Sequence, residues 1–402
     1  MSAIIGYIWL IIQLLVGYNL LLPVVLYLLY RVKKKRSYPA AADPAAEERD
    51  YAVIITAYEQ TQSVPGAVNS VLAAEYRNYL IYIVADNCDA SGLHFDDERV
   101  IVLRPEEVLK SNVRSHFYAI DRFRRPHTHL TIVDSDNLVH RAYFSECNRF
   151  FDQGFHAVQG FRRPRNLDTP IACLDAARDI YYHFYDGEVL FALGSSAALS
   201  GSGMAFTTDL YRECLTGYNF SGAGFDKVLQ YAIVKKGYRI ACAPDAVVFD
   251  EKTSQADQLE SQRARWINTW FKYFRFGFSL LAKGITRFNA NQFLFGLMLV
   301  RPPLFIFLVL AVLCLLVNLV SLSWGALWWL VAFAVFIGGF LLALVRSHAD
   351  KRIFASLRNI PRFMFIQLRS LVRARRANRR SVATRHFHTT TIHDAKPGNH
   401  EN

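Results

Sequence analysis

Asp134-Ser135-Asp136 lies directly after the apolar run Leu130-Thr131-Ile132-Val133. A buried strand ending in two carboxylates one residue apart delivers both acids to the C-terminal edge of a sheet, where open α/β sheets bind ligands. Two hard oxygen ligands at such an edge can hold Mg²⁺ or Mn²⁺ against a diphosphate, because these ions favour carboxylates together with phosphate oxygens. Asp86 ends a second apolar run, Ile83-Val84-Ala85. A carboxylate there can accept a hydrogen bond from the N–H of a uracil-type base. Asp226 follows Gly222-Ala223-Gly224-Phe225, a glycine-rich turn able to present one carboxylate at a cleft. Gln262-Arg263-Ala264-Arg265-Trp266 completes the set. On a helix, spacings of i, i+3 and i+4 put Gln262, Arg265 and Trp266 on one face. A guanidinium there can neutralise a departing diphosphate, and an indole offers a stacking surface for a sugar ring. Each residue also has a plain structural reading. Asp86 could be a turn residue beside Asn87 and Asp89, Asp226 an acid at a helix N-terminus, and Trp266 a membrane-belt tryptophan. Their order along one chain favours chemistry.

The elements that position these residues lie between 51 and about 250, where strand and helix signals alternate as in a parallel sheet with crossover helices. Strands are expected at 51–57, 80–85, 100–103, 157–160, 204–207 and 239–243, with a further strand ending at Asp134 and helices at 67–75 and 112–123. Residues 37–50, with Pro39, Pro44 and several alanines, read as a linker. Residues 255–296 are helical in pattern, with Trp266, Trp270, Phe271, Tyr273 and Phe274 interleaved with Lys272, Arg275, Lys283 and Arg287. This suits helices lying in a membrane interface, their cations snorkelling to water. Residues 353–380 read as another surface-lying amphipathic segment. Asp250-Glu251-Lys252 fits either a local ion pair or a gating-loop element. His386, His388 and His393 are spaced poorly for metal ligands and read as tail or flap.

Three blocks, 3–30, 303–323 and 324–345, carry no charged side chain and each exceed the ~20 residues a helix needs to cross a bilayer. The first lacks a basic start, is too long for the apolar h-region of a signal peptide, and runs into Arg31-Val32-Lys33-Lys34-Lys35-Arg36, as an uncleaved anchor would. Positive segments stay cytoplasmic, so Met1 is expected outside and everything from Arg31 inside. A hairpin touches the outer face near 321–325 and returns at Arg346. The net charge of +12 is local: five Lys/Arg in 31–36 and twelve in 346–385 leave 29 bases against 33 acids elsewhere. The basic excess therefore hugs anionic lipid, and no nucleic-acid partner is expected. Six cysteines without a C-x-x-C suit a reducing compartment and imply no metal role.

In this order the motifs resemble those of the family 2 glycosyltransferases of GT-A fold, especially the membrane-embedded branch with cellulose, chitin and hyaluronan synthases. That branch carries a D, a D-x-D, a (T/E)-D and a Q-x-x-R-W ahead of membrane helices. Thr56-Ala57-Tyr58-Glu59 resembles the family's P-x-Y-N-E opening around the nucleotide, without its Pro and Asn. Leu199-Ser200-Gly201-Ser202-Gly203-Met204-Ala205-Phe206 resembles the segment lining the acceptor side. The resemblance covers roughly 50–345 and implies a Rossmann-like mixed sheet of the GT-A kind. Together with the apolar blocks and basic runs it gives an anchor at 1–30, a basic stop and linker at 31–50, and a catalytic domain at 51–254. Interfacial helices at 255–300, a transmembrane hairpin at 301–346 and a basic amphipathic cytoplasmic tail at 347–402 would follow.

Carried over by motif, Asp86 would meet the uridine, Asp136 the metal, and Asp134 the metal, ribose or diphosphate, with Ser135 beside them. Gln262 and Arg265 would meet the pyrophosphate. Gly201, Ser202, Gly203 and Trp266 would face the acceptor, and Asp226 would be the catalytic base. Phe225 stands where the family has an acidic residue or threonine, which leaves the base to Asp226 alone. Lys110 and Arg114 both fit the family's basic position. The implied reaction is inverting transfer from a UDP-sugar, with Mg²⁺ or Mn²⁺, to a cell-surface or exported polysaccharide. Single transfer to a membrane lipid, as in ceramide glucosyltransferases, is the rival reading. Three spans are few for a translocation pore, which leaves room for an export or accessory subunit.

Overall fold

The structure, a computed structural model, describes residues 2–33, 48–218 and 223–374. Most of the expected linker, Gly222, the end of the amphipathic segment and the three tail histidines lie outside the described residues.

The chain begins with α1 (Ser2–Val32), then β1 (Tyr51–Tyr58), α2 (Val64–Leu72), β2 (Tyr79–Asp86), β3 (Val100–Leu103), α3 (Asn112–Ile120) and β4 (His129–Asp134). Next come β5 (Leu138–Val139), α4 (Tyr143–Phe151), β6 (Ala157–Pro164) and α5 (Pro170–Tyr182), which continues as a π-helical turn, His183–Val189, into the short α6 (Leu190–Ala192). The domain closes with β7 (Met204–Thr207), α7 (Thr208–Leu215), α8 (Phe225–Lys235) and β8 (Ile240–Asp250). Beyond it lie α9 (Ala256–Tyr273), α10 (Arg275–Thr286), α11 (Ala290–Val300), α12 (Leu304–Val320), α13 (Gly325–Arg346), α14 (Lys351–Ser356) and α15 (Ile360–Ala374).

The eight strands form one sheet in the order β3-β2-β1-β4-β7-β6-β8-β5. β1 sits between parallel neighbours and is buried on both faces, as its near-continuous apolar run requires. Alternate residues enter different cores. Tyr51, Val53 and Ile55 join Val64, Val68, Phe144 and Cys147 of α2 and α4. Ala52 and Ile54 join Val113 of α3, Leu229 and Ile233 of α8, and Leu280 and Phe295 of the following helices. Caps place the helices: Thr169 Oγ1 accepts from the Ala172 N–H at 3.2 Å, with Pro170 in the first turn of α5.

The sheet is mixed, as the GT-A resemblance implies, rather than parallel throughout. β7 runs antiparallel to β4 and β6, and β5 antiparallel to β8. Alternating strand and helix signals carry no information on strand direction. The two-residue β5 was not foreseen, and β8 continues past the expected 239–243 to Asp250.

α1 and α13 are each long and apolar enough to cross a membrane. α12 has 17 residues and forms with α11 a pair bent by 70°. The bend falls at Arg301-Pro302-Pro303, where two prolines withhold the N–H groups that a continuous helix needs. The three expected blocks thus correspond to two such helices, or three if the bent pair counts as one. α1, α12 and α13 share a core with Tyr181 of α5 and with Phe184 and Tyr185 of the π-helical turn.

Two buried histidines set an acid limit on this domain. Burial lowers the pKa of His116 to about 3, and burial with Arg49 lowers that of His129 to about 4, from 6.5. Below 6.5 the unfolded chain takes up protons that the native chain does not, so stability falls with pH. The loss is roughly 1.4 kcal/mol per pH unit for each histidine until its native pKa is reached. Denaturation midpoints at pH 7.5, 6 and 5 should therefore fall stepwise for the natural chain, and less steeply for His129→Gln.

Candidate active site at the carboxyl edge of the sheet

Strand register assembles the site. β1 pairs Tyr58 with Asp86 on one side and Thr56 with Asp134 on the other. The two acids therefore leave the same edge two strands apart, about 10 Å by strand spacing. Because β7 is antiparallel to β4, with Met204 opposite Ile132, the segment 199–203 before it reaches that same edge. β6 and β8 are parallel and bring Pro164 opposite Asp250. A cavity of about 1250 Å³ opens there.

Its wall includes Thr56, Ala57, Tyr58, Asp86, Asp134, Ser135, Asp136, Gly201, Asp226, Gln262, Arg265 and Trp266, drawn from widely separated segments. Lys110 and Arg114 both line it, so geometry does not choose between them. Glu59, Ser202 and Gly203 are not among the lining residues. Glu59 sits at φ 61° with its N–H donating to the Asp86 carbonyl at 3.3 Å. Ser202 is buried behind the D-x-D turn, where its Oγ accepts from the Asp134 N–H at 3.0 Å and from Asn137 Nδ2 at 2.7 Å. Gly203 has φ +63°, and a Cβ there would lie 2.8 Å from Val248. Ser202 thus braces the D-x-D turn, and Gly203 packs against Val248.

Asp86 is buried, and its carboxylate accepts from the N–H groups of Leu109 at 2.9 Å and Lys110 at 2.7 Å. Its remaining lone pairs can still serve a base N–H. The turn 199–203 is held by side chains the motifs did not single out. Gln230 accepts from the Leu199 N–H and Gln159 from the Ser200 N–H, both at 2.9 Å. Lys227 Nζ donates to the Leu199 carbonyl at 2.9 Å and lies 2.9 Å from Asp226 Oδ2, so it ties Asp226 to the 199–203 turn. Asp226 stands in the first turn of α8 after Gly224, whose φ is +101°. A Cβ on Gly224 would lie 2.5 Å from Thr269, so α8 starts directly against α9, the helix of Gln262, Arg265 and Trp266.

Along the cavity wall, which includes Arg162, Asp175, Arg178, Asp179, Asp250 and Lys252, runs a chain of alternating charges that was not read from the sequence as a whole. Arg162 pairs with Asp250, and Asp250 with Lys252 at 2.7 Å. Lys252 pairs with Asp179, Asp179 with Arg178, and Asp175 with both Arg178, at 3.3 Å, and Arg263. Burial opposes the charge on Arg162, yet Asp250, Asp179, Asp134 and Asp136 raise its pKa above the ordinary value. Burial likewise opposes ionisation of Asp179, yet Arg178, Lys252, Arg162 and Arg263 hold its carboxyl well below the usual range. The guanidiniums of Arg178 and Arg263 lie over the Trp266 ring, 4.3 and 4.1 Å from its centre. The indole is thus oriented by cation–π contacts anchored on Asp175. Besides the local pair Asp250 and Lys252, a sequence signal that could have found it is the i, i+3, i+4 trio Asp175, Arg178, Asp179, a pattern that ordinary solvated helices share.

A divalent ion fits the donor set. Among the described residues no three His, Cys, Asp or Glu side chains cluster as a closed metal site. Asp134 and Asp136 could supply carboxylate oxygens, with phosphate and water completing the shell, as Mg²⁺ sites commonly do.

Residues 48–269 match the family model described as "Glycosyltransferase like family 2". Among solved structures, the mannosyltransferase PcManGT from Pyrobaculum calidifontis, in complex with GDP-Man and Mn²⁺, aligns with a TM-score of 0.57 at 17% identity over 90% of this chain and 97% of that one. S. aureus TarS 1–349 aligns with a TM-score of 0.40 at 14% identity, covering 82% of this chain and 90% of that one. No curated protein matches. The mannosyltransferase supports the fold, and the family match spans more than half of the chain. The chain belongs to glycosyltransferase-like family 2.

Proposed function

We propose that this chain is an inverting glycosyltransferase that moves a sugar from a UDP-sugar to a growing cell-surface or exported polysaccharide at the cytoplasmic membrane face. The observation that carries this reading is the convergence of Asp86, Asp134, Asp136, Asp226, Gln262, Arg265 and Trp266 on one cavity. That the same cavity reaches Pro302 and Pro303, at the head of an apolar helix, supports work at a membrane. Lys and Arg at 31–36 and 346–385 support the N-terminus outside and the catalytic domain inside.

In this reaction Asp86 receives the uracil N–H, while Gln262 and Arg265 meet the diphosphate. Burial lowers the pKa of Arg265 from its ordinary value. An acceptor hydroxyl gives its proton to Asp226 and attacks the anomeric carbon. The bond from that carbon to the diphosphate oxygen breaks on the opposite face, which inverts the centre. Base assistance of this kind contributes roughly 10²–10⁴-fold. A divalent ion held by Asp134 and Asp136 would supply positive charge against the diphosphate.

A second reading, single transfer to a membrane lipid, draws on the apolar end of the cavity, where Met298, Leu299, Pro302 and Pro303 form the wall. The test is nucleotide release by purified protein with UDP-glucose, UDP-N-acetylglucosamine, UDP-galactose, UDP-glucuronate and GDP-mannose, followed by product sizing. The polysaccharide reading expects a uridine donor and a long product. A single-sugar glycolipid favours the second reading, and no release from any donor overturns both.

A further inference from the structure

We propose that the outward face of α15 lies on an anionic lipid surface and, latched through Glu260, sets the position of the helix that bears Gln262, Arg265 and Trp266. The inference rests on the membrane placement proposed above but not on the chemistry.

α15 has two faces with different partners. Phe363 and Ile366 pack with Leu259 of α9 and Leu174 of α5, while Ala374 packs with Ile267 of α9 and Phe305 at the start of α12. The helix is therefore wedged between the Q-x-x-R-W helix and the first turn of an apolar helix. Glu260, two residues before Gln262, is only 2% exposed. Its carboxylate lies 3.0 Å from Arg373 and 3.6 Å from Arg369, both on α15 and both more than half exposed. A buried carboxylate left without its cations is strongly disfavoured, so this contact latches α15 to α9.

The opposite face carries Phe365, Leu368 and Val372 at i, i+3 and i+7, with Phe365 62% and Val372 86% exposed. Arg362, Arg369 and Arg373 flank this stripe four and seven residues apart, and α15 contains no acid. Water is a poor environment for such a stripe. A bilayer interface takes the apolar residues into the acyl boundary and leaves guanidiniums at the phosphates. Each guanidinium has five N–H donors, so Arg369 and Arg373 can serve Glu260 and a lipid phosphate together. The charge selects an anionic surface over a neutral one. Continuity with Phe305 places that surface where α12 begins.

The full chain, reconstituted in vesicles of phosphatidylcholine with or without phosphatidylglycerol, tests this with a benzophenone side chain at position 365. Irradiation is expected to give lipid adducts, with a yield higher in the anionic vesicles. Arg362→Gln and Arg369→Gln should each cut that preference by about fivefold. Glu260→Gln should leave the adducts in place. It should also abolish the slowing of α9 amide exchange that phosphatidylglycerol causes in the natural chain. Adducts to a second copy or another protein, or none at all, would overturn the surface. α9 exchange indifferent to lipid charge would overturn the coupling. Neither readout needs turnover, so both stand even if no sugar donor is accepted.

Discussion

Asp226→Asn is expected to lower sugar transfer by roughly 10²–10⁴-fold while nucleotide-sugar affinity stays within about twofold. The change removes a proton acceptor and almost no volume. Asp226 sits in the first turn of α8, whose start is pinned against α9 by the close approach at Gly224, so the side chain position does not depend on its charge. The pairing with Lys227 at 2.9 Å is lost, and Lys227 also holds the Leu199 carbonyl. A Lys227→Met variant separates the two effects. A disturbed acceptor-side turn should raise the acceptor KM, whereas a missing base should lower kcat at saturating acceptor. Turnover of Asp226→Asn equal to the natural chain would remove Asp226 from the chemistry.

The second large effect concerns folding. Asp175→Ala is expected to destabilise the protein by about 3–5 kcal/mol, because Arg263 and Arg178 would keep buried charge with one anchor gone. Arg178 retains Asp179, whereas among the described residues Arg263 pairs with no carboxylate besides Asp175. Of the two guanidiniums over the Trp266 ring, that of Arg263 then loses its anchor. Thermal denaturation of Asp175→Ala, Arg263→Met and the double variant should show strong coupling: the double variant should be far more stable than the two losses added together. Additive losses would mean that Asp175 and Arg263 contribute independently.

What could be read from residues alone follows physical lines. Asp86 and Asp134 were legible because each closes a run whose burial on both faces marks a parallel strand. Gln262, Arg265 and Trp266 were legible because helical spacing puts them on one side. The fold was legible down to most strand positions, but the reversal of β7 was not, since a four-residue apolar strand looks the same in either direction. Ser202 and Gly203 read as ligand-facing because a glycine-serine turn beside a strand suits both a binding loop and a tight packing corner. Their contacts with Asp134, Asn137 and Val248 show the corner. The ion chain from Arg162 to Arg263 was hidden because its members come from α5, α9, β6 and the end of β8. Asp250 and Lys252 stood out only as a local pair.

The most direct measurement is calorimetric titration of UDP-sugar into the purified chain, with Mn²⁺ and with chelator, for the natural sequence and for Asp136→Ala. Tight binding that needs the ion and is lost in Asp136→Ala is the predicted result. Equal affinity in all four conditions would contradict a metal-assisted nucleotide-sugar site at the edge that Asp86, Asp134 and Asp136 share.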